Sequence, residues 1–265
     1  MSAKIKFAVR SEVGNIRTNN EDNLYCNGII MTAFERERPF FFEGVTESPA
    51  IFAVCDGMGG EDCGEVASLM AVEGLKEHSR KILRSLPDAG KEVNSYVKAV
   101  NDKLLDMMRS QGIRTGATLV LAIAGSSSFR IYNLGDSRGF RVENGRLLRV
   151  TDDHTVAEEK MRMGLISAAQ AEKSRERHIL TRYFGDNDEY GVMPDVSEEY
   201  SFDTHTGGML CSDGLTDMLT FPEISRIMSA AKNPSEAVNM LVNSALEKGG
   251  KDNVTCIVFE IAKEE

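Results

Sequence analysis

Cysteine is sparse: Cys26, Cys55, Cys63, Cys211 and Cys256 form an odd set with no C-x-x-C spacing. Several sit inside apolar runs, as in Ala53-Val54-Cys55 and Met209-Leu210-Cys211. This excludes a disulfide scaffold and predicts buried, reduced thiols in a cytoplasmic protein. Histidine is scarcer still, with four widely scattered residues, which argues against a structural zinc site. No apolar run approaches the roughly 18 residues that span a bilayer. The stretch Phe7-Ala8-Val9 behind Lys4 and Lys6 is too short for a signal-peptide core. Positive charge is in deficit, with 31 Lys and Arg against 41 Asp and Glu and a net charge of -10. Such a field repels nucleic acid and anionic membrane, so neither is an expected partner. Repeats, low-complexity tracts and linkers are also missing, which favours one domain over residues 1–265. The 42% apolar and 27% charged content excludes disorder.

Alternating Ile5, Phe7 and Val9 predict a half-buried strand, and the continuous apolar runs Ala50–Cys55 and Ala117–Ala124 predict buried ones. Phe129–Leu134 follows. Gly139–Val142 and Arg146–Val150 flank Glu143-Asn144-Gly145 as a hairpin, and Met209–Ser212 and Val254–Ile261 supply the last strands. Val93, Tyr96, Val97, Val100, Leu104 and Met107 recur at helical spacing, and a second helix follows Gly64. Asn233-Pro234 caps a helix that Gly249-Gly250 ends, and Thr220-Phe221-Pro222-Glu223 opens another. The segment Ile30–Ser48, with Phe40-Phe41-Phe42, is expected as an exposed hairpin or loop whose rings pack on the core or dock a partner. Hairpins with few, long helices indicate an α+β layered architecture.

The carboxylates follow a rule. Asp56, Asp136 and Asp213 each end an apolar strand beside a glycine, Asp252 precedes a strand, and Asp22 closes Asn19-Asn20-Glu21-Asp22 before Leu24-Tyr25-Cys26. Each alone could cap a turn. Together, at one edge of a sheet, they would repel one another unless a cation neutralised them. An all-oxygen acidic site favours Mg²⁺, Mn²⁺ or Ca²⁺ over zinc or copper, and a glycine after the acid lets a backbone carbonyl approach an ion. Two imitations fail. Gly57-Met58-Gly59-Gly60 lacks the third glycine of a dinucleotide turn, since Asp62 takes its place. Asp186-Asn187-Asp188-Glu189-Tyr190-Gly191 lacks the closing Glu of a calcium loop and is expected as a solvated acidic loop.

Arg17-Thr18-Asn19-Asn20-Glu21-Asp22, Asp56-Gly57-Met58-Gly59-Gly60, Gly135-Asp136-Ser137-Arg138, Ser212-Asp213-Gly214-Leu215-Thr216-Asp217 and Asp252-Asn253-Val254-Thr255 resemble, in order, the motifs of the type 2C metal-dependent protein Ser/Thr phosphatases. The resemblance implies an α-β-β-α sandwich of two antiparallel sheets flanked by helices. It implies a centre of two Mn²⁺ or Mg²⁺ ions whose shared hydroxide attacks phosphoserine or phosphothreonine directly. By motif, Asp56 bridges both ions, Asp213 and Asp252 complete the first, and the Gly57 carbonyl and Asp22 serve the second, with Glu21 nearby. Asp136 with Asp213 matches a third, weaker ion of bacterial members, and Arg17 grips the substrate phosphate. Implied partners are phosphorylated proteins, the substrates of a Ser/Thr kinase, and the protein is expected as a cytoplasmic monomer. Residues 161–185 match a flap beside the active site, expected to affect substrate choice.

Three departures qualify the match. Met58 stands where eukaryotic members usually have a His thought to act as general acid; Met is common in bacterial members, so the general acid stays unassigned. His154 is expected to be structural. Thr115-Gly116-Ala117-Thr118 has Ala where Gly-Thr-Thr is usual, with little chemical effect expected. Two alternatives stay open: an inactive phosphoprotein-binding relative and a hydrolase of small phosphate esters.

Overall fold

The computed structural model describes residues 2–59, 63–143, 145–187, 191–202 and 206–261. Its strands form two large antiparallel sheets. The six-stranded sheet runs Arg146–Arg149, Arg138–Glu143, Thr206–Cys211, Val254–Ile261, Lys4–Glu12, Phe40–Glu47. The other runs Asp195–Val196, Ser128–Leu134, Leu119–Ala124, Ala50–Cys55, Asn23–Cys26, Ile29–Ile30, with Tyr200–Ser201 also on Ser128–Leu134.

Side-chain parity sorts the core into three slabs. Phe52 and Val54 face Phe7, Leu210, Ile257 and Phe259 of the opposite sheet, and Phe52 stacks on Phe259 at 5.0 Å. Ile51, Ala53 and Cys55 on the other face meet the helices Gly64–Arg84 and Gly90–Gln111. Met209, Cys211, Cys256 and Val258 meet the helices Phe221–Ala230 and Pro234–Glu247. Strands covered on both sides have no polar face, which is why Ala50–Cys55 reads as a continuous apolar run. The expected α-β-β-α sandwich is therefore observed. Cys26, Cys55, Cys211 and Cys256 are buried free thiols.

The helix signals act where the sequence puts them. Asn233 Oδ1 accepts from Glu236 N at 2.8 Å with Pro234 in the first turn, and Glu223 Oε2 accepts from Thr220 N at 2.9 Å.

Three expectations change. The segment from residue 30 to 48, expected as an exposed hairpin or loop, is instead a short helix, Ala33–Arg36, that leads into Phe40–Glu47, the edge strand paired with Lys4–Glu12. Phe40 and Phe42 pack on the inter-sheet core, and only Phe41 of the three is exposed. Residues 117–124 do not form one strand, because Thr118 separates Gly116–Ala117 from Leu119–Ala124. Lys4–Glu12 is covered on both faces at Ala8, which lies in the slab under Pro234–Glu247. Asn144 of the expected hairpin, Gly60 and Asp62 beside Asp56, and residues 188–190 of the acidic stretch lie outside the described residues.

Candidate active site

Strand register gathers the acids at one end of the sandwich. Asn23 pairs with Cys55, so Asp22 and Asp56 leave neighbouring strands side by side. Arg138 pairs with Cys211, bringing the turn of Asp136 toward Asp213. Cys211 pairs with Cys256, and Ser212 N donates to Thr255 O at 3.1 Å, drawing Asp213 toward Asp252. One sheet thus supplies Asp22 and Asp56, the other Asp213 and Asp252, and Asp136 lies in the turn that passes between them.

Burial, and after it their mutual repulsion, raises their proton affinities. Asp22 is fully buried, and burial, aided by Asp213 and Asp252, lifts its pKa from 3.8 to about 7. Its Oδ2 accepts from Ser212 Oγ at 2.8 Å, whereas Oδ1 is buried without a hydrogen-bond partner among the described residues. Burial also lifts Asp213 to about 7, with Asp217 and Asp252 adding to it, and Asp213 shares a hydrogen bond with the Asp56 carboxyl. Asp56 is pushed well above the usual carboxylate range by burial and by Asp22, Asp213, Asp136 and Asp252. Asp136 rises for the same reasons, burial first and Asp213 next.

Close packing explains the glycines here. A Cβ on Gly57 would lie 2.1 Å from Gly64 O and 2.6 Å from Glu21 O. A Cβ on Gly64 would meet the Glu21 carboxyl at 2.8 Å. The loop after Asp56, the start of helix Gly64–Arg84 and Glu21 can therefore meet only where both positions lack a side chain. Glu21 sits beside this contact, its pKa raised by burial against the pull of Arg17. Arg17 lies at the rim, about half exposed, with Nη2 donating to Asp252 Oδ2 at 2.7 Å. That bond, followed by the charges of Asp252, Glu21 and Asp56, raises its pKa.

All the expected site residues therefore meet at one end: Asp22, Asp56, Gly57, Asp136, Asp213 and Asp252, with Glu21 and Arg17 beside them. The five aspartates do not form one tight cage. Among the described residues, only His178, Asp213 and Asp217 offer three ligand atoms mutually within 4.8 Å.

The polar scaffold around the acids was not singled out in the sequence. Asn253 Oδ1 accepts from Glu21 N, and its Nδ2 donates to Val13 O and Asn19 O, all at 2.8 Å. Asp56 N donates to Thr118 Oγ1 at 2.9 Å, and that hydroxyl contacts Ser137 Oγ at 2.6 Å. For Asn253 and Ser137 the signal available was adjacency, since each directly follows an acid of a motif, whereas Thr118 reaches Asp56 only through the fold. His154 holds the turn before Asp136: Gly135 N donates to its Nδ1 at 3.1 Å, so Nε2 donates to Asp195 Oδ2 at 3.1 Å. Burial, and then the charge of Arg182, lowers the pKa of this imidazole. Arg182 grips Asp195 at 2.7 and 3.0 Å. The flap closes over the same end, with Arg177 Nη2 3.1 Å from Asp217 Oδ1.

A family model described as protein phosphatase 2C matches residues 10–254. The chain belongs to the protein phosphatase 2C family. It is similar to the serine/threonine phosphatase stp of Listeria monocytogenes serotype 4b, 33% identical over 260 residues that cover 95% of this chain and 94% of that protein. Among solved structures it resembles Stp1 of Staphylococcus aureus, at 26% identity and a TM-score of 0.80, covering 97% of this chain and 95% of the other. It also resembles the catalytic domain of the serine/threonine phosphatase PstP in complex with two manganese ions, at 25% identity and a TM-score of 0.77. That match covers 98% of this 2C-family chain and all of the other.

Proposed function

We propose that this protein hydrolyses phosphoserine and phosphothreonine in proteins, and that its aspartate cluster holds the Mn²⁺ or Mg²⁺ ions on which the reaction depends. The observation that carries the proposal is Asp22: a fully buried carboxylate with one oxygen that has no hydrogen-bond partner among the described residues, and with other acids that repel it. Such a group is costly unless a cation neutralises it. The donors are all oxygen, which suits Mn²⁺ and Mg²⁺. The manganese-bound PstP structure supports the same choice.

Asp56 is assigned to both ions, Asp213 and Asp252 to the first, and Asp22 with the Gly57 carbonyl to the second. Glu21 adjoins them, and Asp136 with Asp213 would hold a third. When bound, such ions offset phosphate charge and lower the pKa of water toward neutrality.

The chain's own groups do the rest. Arg17, already at the rim, exchanges Asp252 for the substrate phosphate, where its planar fork meets two oxygens. Ser212 and Asn253 hold Asp22 and Glu21 in place, and Thr118 and Ser137 tie Asp56 to the turn of Asp136. Met58 carries no transferable proton, so the chain supplies no acid at that position.

We further assign residues 1–265 to a single catalytic domain, a reading supported by the pairing of Lys4–Glu12 with Val254–Ile261. We assign it to the cytoplasm as a monomer acting on the substrates of a Ser/Thr kinase. No helix among the described residues is long and apolar enough to cross a membrane.

The test is phosphate release from phosphoserine and phosphothreonine peptides beside a small aryl phosphate, with and without Mn²⁺. Mn²⁺-dependent release from the peptides is expected. Turnover of the small ester alone would favour a small-molecule hydrolase, and metal binding without turnover would favour a phosphoprotein binder.

A further inference from the structure

The flap and the short helix that begins at Asp213 bring together a second set of ligand-type side chains. Asp213 opens helix Asp213–Thr216 and Asp217 caps its end one turn later, with Asp217 N donating to Asp213 O at 2.8 Å, so their carboxylates share a face. The third corner comes from elsewhere in the chain. His178 ends the 3₁₀ turn Arg175–His178 of the flap, with Nδ1 3.9 Å from Asp213 Oδ2 and Nε2 3.7 Å from Asp217 Oδ2. Arg177 occupies the other oxygen of Asp217, at 3.1 Å, and leaves Oδ2 toward the imidazole. The His178 side chain is 46% exposed, so ions reach it from solvent.

We propose that His178, Asp213 and Asp217 form a binding site for a zinc-class transition metal, distinct from the oxygen-only centre and sharing Asp213 with it. One imidazole and two carboxylates are a zinc donor set, whereas Mg²⁺ keeps to oxygen. Two ligands spaced four residues apart on one helical face, with a third from a separate segment, is a recurring way to build such a site. Tetrahedral ligands at about 2.0–2.2 Å stand roughly 3.3–3.6 Å from one another. Only one ring nitrogen would bind, so the exposed imidazole must rotate to bring that nitrogen toward both carboxylates. Three protein ligands leave the fourth position open, so this is an exchangeable site rather than a structural one. Four scattered histidines in the sequence gave no sign of it, because the flap supplies one ligand and the Asp213 helix the other two.

A metal here fastens the flap onto the Asp213 helix and draws on a carboxylate that the catalytic ions also use. Zinc therefore inhibits turnover supported by Mg²⁺ or Mn²⁺. That consequence rests on the phosphatase reading above, whereas the binding does not.

The experiment is equilibrium dialysis of the full chain against Zn²⁺ in excess Mg²⁺. The parent is expected to retain one more Zn²⁺ per chain than His178→Asn or Asp217→Asn, with an affinity at least about tenfold higher at that site. His178→Cys, which restores a zinc ligand, should recover the ion. With Mg²⁺ alone His178→Asn should turn over within about twofold of the parent, while the Zn²⁺ concentration that halves its rate rises at least about tenfold. Equal Zn²⁺ retention by the parent and His178→Asn overturns the site. Equal zinc inhibition overturns the sharing of Asp213. Failure of every variant to turn over with Mg²⁺ would count against the phosphatase reading and leave the dialysis comparison decisive for the zinc site.

Discussion

Replacing Asp22 by Asn should stabilise the metal-free protein at neutral pH. The carboxyl is fully buried, and its pKa stands at about 7 against 3.8 for the free side chain. The native state therefore holds the proton more tightly than the unfolded chain. Its contribution to stability is fully present below about pH 4 and is lost as pH rises through 7. A difference of about three units is worth about 4 kcal/mol, of which roughly 2.5 kcal/mol falls between pH 5 and pH 7.5. The amide introduced by Asp22→Asn would keep an oxygen for the Ser212 hydroxyl and carries no charge to desolvate. In urea unfolding without metal, the parent should lose at least that much stability between the two pH values. The variant should lose about 2.5 kcal/mol less. Saturating Mn²⁺ should restore the parent, by about 2.7 kcal/mol at a hundredfold excess over Kd, and restore the variant far less. A parent equally stable at pH 5 and pH 7.5 without metal would refute the raised proton affinity that burial and the neighbouring carboxylates give Asp22.

Two further substitutions separate roles. Arg17→Ala removes a charge-assisted contact to phosphate worth roughly 1.5–3 kcal/mol, so KM for a phosphopeptide should rise about ten- to hundredfold while Mn²⁺ affinity changes little; steady-state kinetics beside calorimetry checks this, and unchanged kinetics would place Arg17 outside the substrate site. His154→Ala strips the Gly135 N–H of its acceptor and Asp195 of a donor, and should lower stability by about 2–3 kcal/mol in denaturant unfolding; an unchanged midpoint would mean that the turn before Asp136 holds without it.

Much of this was legible because the chemistry sits where strands end. Apolar runs such as Ala50–Cys55 announce strands covered on both faces, and an acid beside each run needs only an antiparallel register to meet its neighbours. What the sequence hid was placement across the chain. Within Ile30–Ser48, Phe40–Glu47 reads as part of an exposed hairpin or loop because Glu43, Gly44 and Glu47 break its apolar character, yet an edge strand needs only one covered face. Asn253 looks like any polar residue after Asp252, and its three bonds to segments near residues 13–21 exist only in the folded chain. His178 likewise lies 35 residues before Asp213. Nothing in their spacing foretells that a flap will carry the imidazole back to that carboxylate.

The most direct measurement is a calorimetric Mn²⁺ titration of the parent and of Asp56→Asn, with kcat for a phosphopeptide measured on the same samples. Asp56 is the acid that feels Asp22, Asp136, Asp213 and Asp252 at once. Removing one negative charge there should weaken Mn²⁺ at both catalytic positions and lower kcat at least about 10²-fold, while the fold survives because Asn can occupy the same turn. Two Mn²⁺ ions bound as tightly as in the parent, with undiminished turnover, would contradict the assignment of Asp56 as the residue shared by both ions.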